Sequence, residues 1–149
     1  MTDFERMRTL IRQEQRYRWA VEKQMAKATK STTSFTLAGG GGTRTGSRVE
    51  EGAVMLAALQ DEYAEIRAEL DAAREELKKA VAKIRSPRKR LEKTCLRMRY
   101  IQGMSIRQIA VSLSYTEDYL HRKMRAAEAL ILNVQRAQEE QKKRTDQVG

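Results

Sequence analysis

Residues 96–123 read LRMRYIQGMSIRQIAVSLSYTEDYLHRK, and the turn inside this stretch decides how the chain ends. Three short helices are expected between Pro87 and Leu132. Leu91, Cys95, Met98 and Ile101 space the core face of the first, and Gly103 can cap its end. Ser105 is a natural N-cap for the second, whose Ile106, Ile109, Ala110 and Leu113 face inward. After the Ser114-Tyr115 turn, Thr116 can cap a third helix over 116–127 that buries Tyr119, Leu120, Met124 and Ala127, with Leu130 continuing the face. A small residue at Ala110, a turn at Ser114 and an apolar Leu120 reproduce the arithmetic of a helix-turn-helix. Ala110 lets the two helices cross closely, the turn sets their angle, and Leu120 locks the second helix onto the first. Cys95 reads as a small buried apolar residue rather than a nucleophile.

Upstream, Ser86-Pro87 ends a long helix, because the residue before proline is pushed away from the right-handed helical region. That helix runs from about Val49 to Arg85. Leu56, Leu59, Tyr63, Ile66, Leu70, Ala73, Leu77, Ala80 and Ile84 alternate spacings of three and four, an a/d heptad with Glu, Arg and Lys elsewhere. Such a seam needs a partner. A first helix, Thr2 to about Thr29, can fold back as an antiparallel hairpin, or a second chain can supply the seam. Phe4, Met7, Leu10, Ile11, Tyr17, Val21, Met25 and Ala28 make its stripe, interrupted by Glu14 and Arg18, so its middle should pack less tightly. Trp19 falls off the stripe, either covering a neighbouring subunit or lying half exposed. Residues 31–47 hold Gly39-Gly40-Gly41-Gly42 among serines and threonines and read as a flexible connection. A phosphate-cradling loop is the sharper reading of those glycines, but the Gly-Lys-Ser/Thr ending is missing and no strand precedes it.

The expected organisation is all-α: a helical hairpin or coiled coil over 1–85, a helix-turn-helix module over 86–134, and a polar tail over 135–149 that continues a helix and then frays. The whole chain is 149 residues with net charge +10, 40% hydrophobic, 34% charged and 5% aromatic. Residues 1–85 hold 16 basic and 13 acidic groups, residues 86–126 hold 10 and 3, and residues 127–149 hold 4 of each. A local excess of this kind is the footprint of a polyanion-binding module. A membrane-surface role would set the basic residues opposite a Trp- or Phe-rich face, and the basic segment has neither residue. No apolar run approaches the roughly 20 residues of a membrane span, and the first residues lack the apolar stretch of a secretory signal. One cysteine and one histidine, His121, give no zinc set and no spare base. No metal, no cofactor, no membrane association and no enzymatic activity are expected, and a cytoplasmic location is.

The run from Leu96 to Ala110, with its continuation from Leu113 to Lys123, resembles region 4 of bacterial sigma factors. The whole chain is similar to phage-encoded, sigma-region-4-like proteins of the ArpU and RinA type, regulators of late transcription. Part of that likeness lies in Ala28-Thr29-Lys30-Ser31-Thr32-Thr33-Ser34 and in the order helix, Gly-rich loop, long helix, terminal module. Two positions depart from the pattern: Ser114 stands where glycine is usual, and Leu120 where Val or Ile is common. The resemblance implies that the start of the third helix enters the major groove of double-stranded DNA. Thr116, Glu117, Asp118, His121, Arg122 and Arg125 would then face DNA. Arg122 suits guanine O6/N7, and Glu117 or Asp118 suits cytosine N4. His121 would contact a base or a phosphate, or serve neither. Arg107, Gln108, Arg88, Lys89, Arg90, Lys93, Arg97 and Arg99 would serve phosphates, which strengthen binding without specifying sequence. The implied function is sequence-specific transcription regulation near the host nucleoid, with contact to RNA polymerase; self-association through the helical region is expected from the seam itself, because two helices alone bury little area. Two alternatives share the parts: a small-terminase-like packaging protein, which usually leads with its DNA-binding module, and a coiled-coil inhibitor that binds a protein. A complete sigma factor would need a further domain rich in exposed aromatics.

Overall fold

The computed structural model describes residues 2–38 and 44–148, with side chains described for 2–29 and 50–148. Among them there is no strand. The elements are α1 (Phe4–Ala38), α2 (Arg44–Ala82), a 3-10 turn (Pro87–Lys89), α3 (Arg90–Leu96) running into a π-helical turn (Arg97–Ile101), α4 (Ile106–Leu113) and α5 (Glu117–Val148). The chain is all-α, as its periodicities require. The expected connection over 31–47 narrows, since α1 continues to Ala38 and α2 begins at Arg44; the glycine run 39–42 lies outside the described residues. No described helix is long and apolar enough to cross a membrane.

The chain divides into two compact units, but not at Pro87. The smaller comprises Leu10–Glu69; the larger comprises Met1–Thr9 with Leu70–Gly149. The first nine residues and the last heptads of α2 therefore belong with the C-terminal module rather than with a separate 1–85 domain. The physical reason is burial: Phe4, Met7, Leu70, Leu77, Ala80, Val81 and Ile84 are core residues of the larger unit, beside Cys95, Leu96, Tyr100, Ile109, Leu120, Met124, Ala127 and Ile131.

In the smaller unit the two long helices pair antiparallel. Tyr63 donates its hydroxyl to Glu14 Oε1 at 3.1 Å, the Tyr17 phenol is held beside Glu62, and a Cβ on Gly52 would stand 3.4 Å from Gln24 Nε2. As one number rises, its partner's falls. The hairpin alternative is thus the one realised within this unit. Glu14, which interrupts the apolar stripe, is buried and satisfied by Tyr63 and by an ion pair with Arg18. The seam is thin here: Leu56, Leu59, Tyr63 and Ile66 are half-buried, and Met25, Val54 and Met55 are exposed. Trp19 is 62% exposed, with Lys23 Nζ 4.7 Å from the ring centroid.

In the larger unit, α3 and α4 both pack on α5. The core face of the first module helix differs from the expected one. Leu91, Met98 and Ile101 are half-buried, whereas Leu96 and Tyr100 are fully buried with Cys95. The buried residues Glu92, Cys95, Leu96 and Tyr100 lie on one ordinary helical face, three, four and eight residues on from Glu92, so the core side lies round from the side that Leu91, Met98 and Ile101 mark. The chain leaves the π turn through Gly103 at φ 72°, with Met104 N–H donating to Met98 O at 2.9 Å. The third helix continues past Val134, as expected, and runs unbroken to Val148 where fraying was expected; its buried stripe passes through Ile131 rather than Leu130, and the segment expected as a polar tail starts with a buried Gln135. Gln135 accepts from Thr2 N–H at 2.8 Å and donates to Thr2 Oγ1, pinning the start of the chain onto α5. One turn into α1, Arg8 Nη1 donates to Tyr100 Oη at 2.9 Å and to Glu128 Oε1 at 3.2 Å. Tyr100 donates to Glu128, and Phe4 lies against its ring at 5.0 Å. Burial, with Glu128 beside it, pushes the Tyr100 phenol well above its usual range.

Candidate nucleic-acid interface

The helix–turn–helix segment is built from local signals that can be followed atom by atom. Ser105 Oγ accepts from Gln108 N–H at 3.2 Å while Gln108 Oε1 accepts from Ser105 N–H at 2.9 Å, a reciprocal capping box that starts α4. Gln108, expected on a phosphate, thus has its amide oxygen occupied at the helix start. At the end of α4, Ser114 takes φ 60°, ψ 40°, the left-handed conformation that glycine adopts at low cost. Tyr115 N–H then closes on Ala110 O at 3.0 Å. Ser114 therefore adopts the conformation for which glycine is usual. Thr116 Oγ1 accepts from Tyr119 N–H at 3.2 Å and starts α5.

The first turns of α5 sort their residues cleanly. At about 100° per residue, and counting Glu117 as zero, Glu117, Asp118, His121, Arg122 and Arg125 fall within an arc of roughly 0–140°. All five are exposed, as is Thr116. Leu120, Met124, Ala127 and Ile131 fall within roughly 280–340° and are buried. Lys123 lies at the margin, with Nζ 3.5 Å from Glu92 Oε1 and 5.5 Å from the Tyr119 ring centroid. The charge of Tyr119, then that of Glu92, raises its pKa. Glu92 is only 3% exposed, and its Oε2 has no hydrogen-bond partner. Burial likewise pushes the Cys95 thiol up, which keeps it protonated and apolar.

The cations expected on phosphates are spread over several surfaces. His121 and Arg125 line an open recess of about 320 Å³ with Arg8, Arg99 and Glu128. Arg99 is half-buried there and donates to Met104 O at 3.1 Å, so it also holds the loop before α4. Arg107 and Gln108 lie on the outward face of α4 with Met104, Ser112 and Val111, the last 76% exposed. Arg90, Lys93 and Arg97 gather with Arg85 around another recess; Arg88 and Lys89, on the intervening 3-10 turn, do not line it. Sequence reasoning passed over Arg85 in this group, and it passed over the Thr2, Arg8, Tyr100, Glu128 and Gln135 contacts altogether. The first was findable from its place one turn before Arg88. The second set carries no local signal, since its partners are 28 to 133 residues apart.

Compared with models of protein families, with curated proteins and with solved structures, the chain matches none.

Proposed function

We propose that this protein is a sequence-specific DNA-binding regulator of transcription, of phage or prophage origin, which reads the major groove with the first turns of α5. The observation that carries this reading is the division of α5 into a buried apolar arc and an exposed arc of Glu117, Asp118, His121, Arg122 and Arg125. The exposed arc opens directly after a capped turn, where recognition helices present their base-contacting residues. On this reading Arg122 makes a bidentate contact to guanine, and Glu117 or Asp118 accepts from cytosine N4. Thr116, His121 and Arg125 contact bases or adjacent phosphates. Arg107, Arg88, Lys89, Arg90 and Lys93 supply the sequence-independent attraction, with Gln108 beside them.

Self-association belongs to the same proposal. A two-helix unit whose seam is half-buried and whose Met25, Val54 and Met55 are exposed gains by burying that surface against a second copy. Contact with RNA polymerase and a nucleoid location follow from the regulatory role. The test is selection of fragments from the source genome retained by the purified chain at about 0.15 M salt, where sequence-independent binding is weak. A recurring short site upstream of a gene block is the expected outcome. Uniform retention, or none, refutes sequence-specific reading.

A further inference from the structure

The recess beside the 3-10 turn is lined by Arg85, Ser86, Pro87, Arg90, Lys93, Thr94 and Arg97, with a volume of about 320 Å³. Four of its seven lining residues are cations and none is acidic. Two other recesses in the larger unit also gather several cations, but Glu76 and Glu139 line one and Glu128 the other. Charge neutralisation is therefore built into those and missing here. Among the described residues, no ion pair joins Arg85, Arg90, Lys93 or Arg97 to a carboxylate. Bringing four like charges together costs energy unless an anion answers them. Guanidinium groups answer phosphate oxygens best, because their planar forks bond two oxygens at once.

Helical spacing explains the convergence. Arg90, Lys93 and Arg97 fall three and four residues apart along α3 and the start of the π turn, so they share one face. Arg85 and Ser86 come from the segment after α2. Pro87 bends the chain here, which is what lets residues from both sides of the bend reach one hollow. Arg88 and Lys89 sit within the bend itself and line no part of it.

We propose that this recess is a phosphate-binding site, in which Arg85, Arg90, Lys93 and Arg97 hold one phosphoryl group or a pair of linked ones. The group belongs either to the DNA backbone or to a free phosphorylated compound. The site stands independently of sequence reading by α5.

The test uses the full-length chain and two double variants of equal charge, R90A/K93A and R88A/K89A, after circular dichroism has shown unchanged helicity in both. Backbone amide resonances are followed during titration with pyrophosphate at constant ionic strength. The expected result is that shifts in the wild type centre on residues 85–97. Affinity falls at least about tenfold in R90A/K93A and stays within about twofold in R88A/K89A. Equal loss in the two variants, or shifts spread over all basic surfaces, means general attraction and overturns the proposal. So does the absence of any response in the wild type. A second arm then separates the sources. If the group is a DNA phosphate, R90A/K93A lowers the slope of log affinity against log salt by about 2 without changing the preferred site. If it is a free compound, that slope is unchanged while the pyrophosphate response is still lost. Because the first arm contains no DNA, its outcome does not depend on the proposed regulatory role.

Discussion

The two units are made from the same long helices and differ in nearly every other respect. Residues 10–69 carry 9 basic and 8 acidic groups, whereas residues 1–9 and 70–149 carry 21 and 12, so almost all of the net +10 belongs to the larger unit. The heptad seam is half-buried up to Ile66; beyond it Leu70, Leu77, Ala80 and, just past α2, Ile84 are buried, with Ala73 half-buried. A perfect heptad thus ran through two environments. Two paired helices shield a seam from one side only, while in the larger unit α2 also meets α5, where Gln135 Nε2 donates to Glu76 Oε1 at 3.4 Å, and the π turn, where Arg74 Nε donates to Tyr100 O at 2.8 Å. A repeat in sequence specifies which residues face a partner, and the number of partners then decides how much burial each residue yields.

The sharpest way to break this comparison is to place a charge one turn apart on either side of the division. Leu70→Glu puts a carboxylate where exposure is zero and should cost at least about 4 kcal/mol, enough to unfold the larger unit. Ile66→Glu, at a half-buried position, should cost about 1–2 kcal/mol. Chemical denaturation followed by circular dichroism measures both. Equal costs would mean that the smaller unit is as well covered as the larger, as a tight oligomer would make it.

A smaller effect tests the strap that ties the start of α1 to the larger unit. The raised Tyr100 phenol favours the neutral form in the folded state. Its stabilising contribution is therefore complete below the ordinary value of 10.0 and is lost as pH rises above it. Tyr100→Phe should remove that alkaline loss and cost about 1–2 kcal/mol at neutral pH, leaving Arg8 and Glu128 paired. Identical alkaline profiles for wild type and variant would place the phenol in water instead. Weaker again, Ser114→Gly should stabilise by about 0.5 kcal/mol, because relief of the left-handed serine slightly exceeds the added freedom of the unfolded chain. Destabilisation in a melt would show that the hydroxyl, not the backbone, matters there.

The smallest effect concerns Trp19 in the smaller unit. Trp19→Ala should change stability by less than about 0.5 kcal/mol, and the wild-type indole should be quenched readily by acrylamide. Being the chain's one tryptophan, it reports without ambiguity. A shielded indole would put a second copy over this face and would locate the oligomer contact.

How much of this was legible depended on range. The heptad, the Ser105 and Thr116 caps and the inward set Ile109, Ala110, Leu120, Met124 and Ala127 are local periodicities, and each falls where the spacing places it. The outward set from Thr116 to Arg125 was legible for the same reason, as the complement of a buried face. What failed was of two kinds. The first module helix carries apolar residues on more than one side, and the side that is buried includes Glu92, whose charge gives no apolar signal for it. The attachment of Thr2, Phe4 and Arg8 to Gln135, Tyr100 and Glu128 links opposite ends of the chain, which no window along the sequence can contain. The domain boundary moved with it. Pro87 does bend the chain, but a bend inside one core is not a boundary.

The most direct test of the central claim, that the exposed arc of α5 reads DNA, is the base preference of wild type and Arg122→Ala measured side by side by selection from random duplexes at about 0.15 M salt. The account predicts a short preferred site for the wild type. For the variant it predicts the same site with preference for guanine lost at one position and affinity lowered by about 1–3 kcal/mol. Identical preferences, or none in either protein, would contradict it.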